Sequence, residues 1–231
     1  ERETPPAPAE PAEEVILNGG DMTLALSSHG GVLTRVVLSR FNALPGRPGE
    51  ANPPVTLDFA AEPAFELSGI PGLPRNAAYR VSRDADGKAV TLTASAGNGL
   101  VVTRRVELLA DYQVKVADTF RNAGDEVLVF GTNGVSVGTL TRGASKNELL
   151  SMDSQPAAPK AKVLHWASQK ATKAYLATGG GGLGCGGKTS AAGLPDRTTI
   201  PVPEPQAWVA IKSRFFVVGL GVSETNCGFT A

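Results

Sequence analysis

The string that most invites a chemical reading is GLGCGGKT, Gly182 to Thr189, which fits the phosphate-loop pattern GxxxxGK[ST] letter for letter. That chemistry needs a buried strand before the loop and a helix after it, so that backbone N–H groups and the helix N-terminus converge on phosphate oxygens. Here the loop runs into SAAGLPDRTTIPVPEP, where Gly193, Pro195, Pro201, Pro203 and Pro205 forbid a helix of useful length. Lys188 therefore reads as part of a flexible glycine loop, and no nucleotide or other cofactor is expected.

Other reaction centres are as poorly supplied. The chain has 2 histidines, His29 and His165, and no GxSxG elbow, whereas a triad needs a histidine between a nucleophile and an orienting carboxylate. The same scarcity argues against catalytic zinc, which usually recruits three protein ligands. Asp84 and Asp86 precede Gly87 and read as turn residues, since no calcium-loop pattern follows them. Neither a catalytic residue nor a metal ligand is expected. The 2 cysteines, Cys185 and Cys227, lack a CxxC spacing. They admit a disulfide tying the glycine loop to the C-terminal segment, which requires an oxidising compartment, or else two unpaired thiols.

The elements that would position such residues are strands. The chain has 231 residues, with Gly 27 and Pro 17, enriched but short of low-complexity composition, and a size that a β-sandwich can fill as one domain. Lys plus Arg equals Asp plus Glu at 22 each, so no global field draws it to nucleic acid or anionic lipid. The longest apolar stretch, Phe215 to Val222, is far too short for a membrane-spanning helix. Residues 1–14, ERETPPAPAEPAEE, carry no aliphatic side chain larger than Ala and read as a disordered linker. A folded domain is expected over 15–231.

From Val15 onward the pattern has period two. Met22, Leu24 and Leu26 alternate with polar or small residues, as do Val55, Leu57 and Phe59, and Val90 and Leu92; longer runs extend from Leu100 to Leu109 and from Tyr112 to Phe120. Turn signals fall between them at His29 to Gly31, Ala85 to Gly87, Gly97 to Gly99 and Asn122 to Glu126. Arg104, Lys115 and Asp118 lie within these runs and are assigned to a face that meets water. Pro156 to Lys170 reads as a short helix or an extended excursion, residues 179–187 with their seven glycines as loop, and Ala207 to Val222 as a last strand.

Four passages, VILNGGDMTLALSSHGGVLTRVVL, PVTLDFAAEPAFEL, GNGLVVTRRVELLADYQVKVADTFRNAGDEVLVF and WVAIKSRFFVVGL, together resemble, in order, the large periplasmic domain of bacterial YidC membrane protein insertases. The most specific element is the run from Gly97 to Gly124, with its GN, DY and NAG signatures, followed by WVA at Trp208 and an aromatic pair ending at Phe216. The glycine insert departs from the pattern of better-known members. That domain also usually continues beyond the WVA strand, so either an unprotected edge on the last sheet or truncation at the C-terminal end is expected.

The resemblance implies an all-β, twisted two-sheet antiparallel β-supersandwich, galactose-mutarotase-like, with at most one short helix. It implies a non-catalytic domain on the periplasmic side of the bacterial inner membrane, held by transmembrane segments that lie outside this chain. It further implies partners: the Sec translocon with its SecD and SecF accessory subunits, and nascent membrane proteins under insertion. The periplasm would permit the Cys185 to Cys227 bridge. The fold analogy leaves a second reading, a mutarotase-like carbohydrate-active or carbohydrate-binding protein. That chemistry needs a histidine acid and a carboxylate base in one cleft, and neither histidine lies in a matching motif.

Overall fold

Strict alternation in LVVTRRVEL puts Leu100, Val102, Arg104, Val106 and Leu108 on one side of a strand, and all five are buried. That strand is the eighth of fourteen in the computed structural model, which describes residues 11–43, 52–138, 151–157, 162–166, 206–212 and 216–222. The chain divides into two compact units, Glu1–Thr141 and Arg142–Ala231. Among the described residues every regular element is a strand and every pairing is antiparallel, in agreement with the all-β expectation.

The first unit holds two four-stranded meanders. One runs β1 (Glu14–Asn18), β2 (Met22–Ser27), β3 (Val32–Asn42) and β4 (Pro54–Asp58); the other runs β6 (Arg80–Arg83), β7 (Ala89–Ser95), β8 (Leu100–Leu108) and β9 (Val114–Asn122). A short ribbon pairs β5 (Leu67–Ser68) with β10 (Gly134–Val135). The core lies between the meanders. Val15, Leu17, Leu24, Leu26 and Val36 come from the first, and Val90, Leu92, Val102 and Val106 from the second. Leu108 lies so close to Gly19 that a Cβ there would meet its Cδ2. Each fully buried aliphatic side chain contributes about 1.5 to 3 kcal/mol, which repays the ordering of the strands.

Glu14 opens β1, and Glu13 directly precedes it. Ser28 N–H donates to the Glu13 carbonyl at 2.9 Å, while Glu13 and Glu14 pair with Arg83 at 2.6 Å and Arg35 at 3.2 Å. Of the rest of the proline-rich linker, Pro11 and Ala12 are exposed, and residues 1–10 lie outside the described residues. A bulge between Ala25 and Leu26 leaves Thr34 as the extra residue of β3, and its hydroxyl donates to the Ala25 carbonyl at 3.0 Å.

The second unit holds one sheet in the order β12 (Leu164–Trp166), β11 (Ser151–Pro156), β13 (Gln206–Lys212), β14 (Val217–Gly221). One open alternative is narrowed here and one expectation changes. The stretch from Pro156 to Lys170 is extended where described, with Leu164–Trp166 paired to β11. Ala207 to Val222 is a hairpin, not one strand: β13 and β14 pair from Trp208↔Gly221 to Lys212↔Val217.

Candidate functional site

The described residues with catalytic potential are distributed over both units. His29 sits in the β2–β3 turn, bridged to Ala78, with its N–H donating to Ser27 Oγ at 3.1 Å. His165 belongs to the other unit, in β12 opposite Asp153. Asp84 and Asp86 make the expected turn: Gly87 N–H donates to the Asp84 carbonyl at 3.1 Å, and Lys88 N–H to Asp86 Oδ1 at 3.0 Å. No group of three metal-ligating side chains occurs among the described residues. Cys185, Cys227 and Lys188 lie outside them.

The polar centre of the first unit is a side chain that the sequence reading sends to solvent. Arg104 shares its parity with Val102 and Val106, so it points into the core and is 0% exposed. Opposite it in register stands Asp118, on the face of β9 that carries Val114 and Val116. Two parallel bonds join them, Nε to Oδ1 at 2.7 Å and Nη2 to Oδ2 at 2.8 Å. Nη1 donates to the carbonyls of Gly31 at 2.8 Å and Phe65 at 2.5 Å. The water-facing assignment of Arg104 and Asp118 is thus corrected, because a buried guanidinium is tolerable once its charge and donors are answered. Lys115, of opposite parity, is exposed as expected.

This cluster is a clamp, not a reaction centre. Four donated bonds occupy the guanidinium. Phe65 has φ 67°, a conformation costly for a side chain with a Cβ. Its N–H donates to the Ser136 carbonyl at 2.7 Å while its carbonyl receives Arg104, so both sides of the residue are held. Tyr79 packs near the pair, and burial pushes its phenol above the ordinary value; Arg104 pulls it down and Asp118 pushes it up by smaller amounts.

The GN, DY and NAG signatures hold strand ends in the same way. Asn98 Nδ2 donates to the Pro71 carbonyl at 3.1 Å, and Ala123 N–H donates to the Gly99 carbonyl at 2.9 Å. A Cβ on Gly99, which has φ 85°, would lie 2.8 Å from the Gly124 backbone, so the two glycines permit a contact that any side chain blocks. Asn122 Oδ1 accepts from Gly124 N–H at 3.0 Å. Asp111 and Tyr112 have φ 54° and 60°, the two left-handed positions of a type I′ turn.

What remains for function is surface. Val127 and Val129, just past β9, are 88% and 79% exposed, and Phe130 stacks edge to face on Phe120 with ring centroids 5.5 Å apart. At the opposite end of β9, Phe41 and Tyr112 form a second exposed aromatic pair at 5.7 Å. Sequence reading missed both, because alternation assigns faces without saying which face stays open. Among the described residues no helix is long and apolar enough to cross a membrane.

No curated protein matches the sequence. The family model described as the YidC periplasmic domain matches residues 17–227, a span that contains β2 to β14, the Arg104 clamp and the three signatures. The chain therefore belongs to the YidC periplasmic domain family, the periplasmic-side domain of a membrane-associated insertase.

Proposed function

We propose that this chain is a non-catalytic contact module of a YidC-type insertase, engaging the Sec translocon, its SecD and SecF subunits or nascent membrane proteins on the periplasmic side of the inner membrane. One observation carries the reading beyond family membership: the apolar segment from Val127 to Phe130 leaves two valines almost fully in water beside β9, an edge strand that pairs only with β8 among the described residues. Apolar side chains beside a free backbone edge suit an extended client, whose main chain adds a strand while its side chains meet the valines.

The test is photocrosslinking in living cells from residues placed singly at Val127 and Val129, with Lys88, exposed in the β6–β7 turn, as the reference position. Adducts to Sec subunits or to membrane proteins in synthesis are expected from the valines alone. Equal labelling from Lys88, or no adduct of either class, would sink the reading.

A further inference from the structure

The outer face of the β6–β9 sheet differs in chemistry from the apolar edge. Register brings Arg80, Thr93, Thr103 and Thr119 into one row across the four strands. The neighbouring row is Ser82, Thr91, Arg105 and Ala117, and on the other side Ser95, Val101 and Arg121 follow. At about 4.8 Å between strands, the three threonines span about 10 Å of hydroxyl-bearing surface. Arg105 is answered by Asp84 at 2.6 Å, and Lys115 stands opposite Glu107. Arg80 and Arg121, both exposed, have no acidic partner among the described residues and flank the hydroxyl row from opposite edges of the sheet.

We propose that this face docks on an anionic phospholipid surface, the two unanswered arginines and the threonine hydroxyls between them receiving headgroup phosphates. Charge complementarity decides the occupant. A protein partner of ordinary kind would look for aromatic or large aliphatic anchors, and this face offers only Val101 and Ala117. Arginine forks and hydroxyl donors are the groups that hold phosphate oxygens. The inference does not depend on the proposed contact through Val127 and Val129, which lie off this face, and it places the sheet against the membrane to which the family's protein belongs.

The experiment is co-sedimentation of the 231-residue chain with vesicles of phosphatidylglycerol in phosphatidylcholine, and of phosphatidylcholine alone. The chain is expected on the anionic vesicles only, and to leave them in about 1 M salt, where the screening length falls to about 3 Å. Removing one cation near an anionic surface weakens partitioning about fivefold, so Arg80→Ser with Arg121→Ser together should lower it about thirtyfold. Arg40→Ser, which removes one charge from the other sheet where Arg40 pairs with Asp21 at 3.4 Å, should change it less than twofold. Circular dichroism confirms that each variant is folded. No sedimentation with anionic vesicles, equal sedimentation with neutral ones, an undiminished double variant, or a loss in Arg40→Ser matching that of a single face arginine would overturn the proposal. So would capture by a soluble anionic polysaccharide with the same arginine dependence and no vesicle binding.

Discussion

Arg104 and Arg105 are consecutive residues of β8, and each grips an aspartate through two bonds. Their surroundings differ by one step of the pleat. The Arg104 and Asp118 side chains are 0% and 20% exposed, those of Arg105 and Asp84 44% and 37%. On the inner face, desolvation makes each charge depend on the other, and the donors left over are spent on the Gly31 and Phe65 carbonyls. On the outer face water answers either charge alone, so the pair is replaceable. A two-bond pairing therefore stands for two different things: a clamp joining β8 and β9 to the β2–β3 turn and to the segment between β4 and β5, and a local turn brace.

The largest effect that breaks this comparison is removal of one inner partner. Asp118→Ala leaves the guanidinium buried and unanswered, and about 3 to 5 kcal/mol of stability should be lost in urea denaturation. Arg104→Met combined with Asp118→Leu should recover part of that loss, since no bare charge remains. Recovery stays incomplete because the Gly31 and Phe65 carbonyls lose their donor, about 1 to 3 kcal/mol each if left dry. A double variant no better than Asp118→Ala would mean that the carbonyl contacts, not the ion pair, hold the clamp.

A smaller effect probes the same pocket through Tyr79. Its phenol is raised in the folded chain, mainly by burial. A raised folded value means that the native state keeps its proton longer than the unfolded chain. Stability is then fully present below the unfolded value near 10 and falls as pH climbs past it toward the folded one. Ultraviolet titration should show one of the 3 tyrosines ionising late, and Tyr79→Phe should remove that component. Asp118→Asn should bring it earlier, because the Asp118 charge opposes a phenolate. A late component that survives Tyr79→Phe would place the dry pocket elsewhere.

The two faces were not equally legible in the sequence. Period two is a local property, so Met22 to Leu26, Val90 to Leu92 and Leu100 to Leu108 declare their strands without help from the rest of the chain. Which face holds Arg104 is also written there, in its shared parity with Val102 and Val106, but a charged residue within an alternating run reads first as part of the face that meets water. The acceptors at Gly31 and Phe65 lie 73 and 39 residues away, beyond any local pattern. The turn at Asp111 and Tyr112 lacks the glycine that usually announces type I′ geometry. The row from Arg80 to Thr119 needs the register of three hairpins at once, which alternation alone does not fix.

The smallest effect sits on the outer pair and sharpens the contrast. Asp84 is held below its ordinary value of 3.8, first by the hydrogen bonds from Arg105 and then by its charge. A depressed folded value means that the unfolded chain takes the proton first. The pair's contribution is present above pH 3.8 and is lost as pH falls through the folded value. Carboxyl NMR should find Asp84 titrating below 3.8, and Arg105→Gln should move it back toward that value. The urea midpoint at neutral pH should hardly change, because both side chains keep their water. If Arg105→Gln instead destabilised the chain as much as Asp118→Ala, the outer face would be as dry as the inner one. Both the comparison and the exposed phosphate-binding face would then fall together.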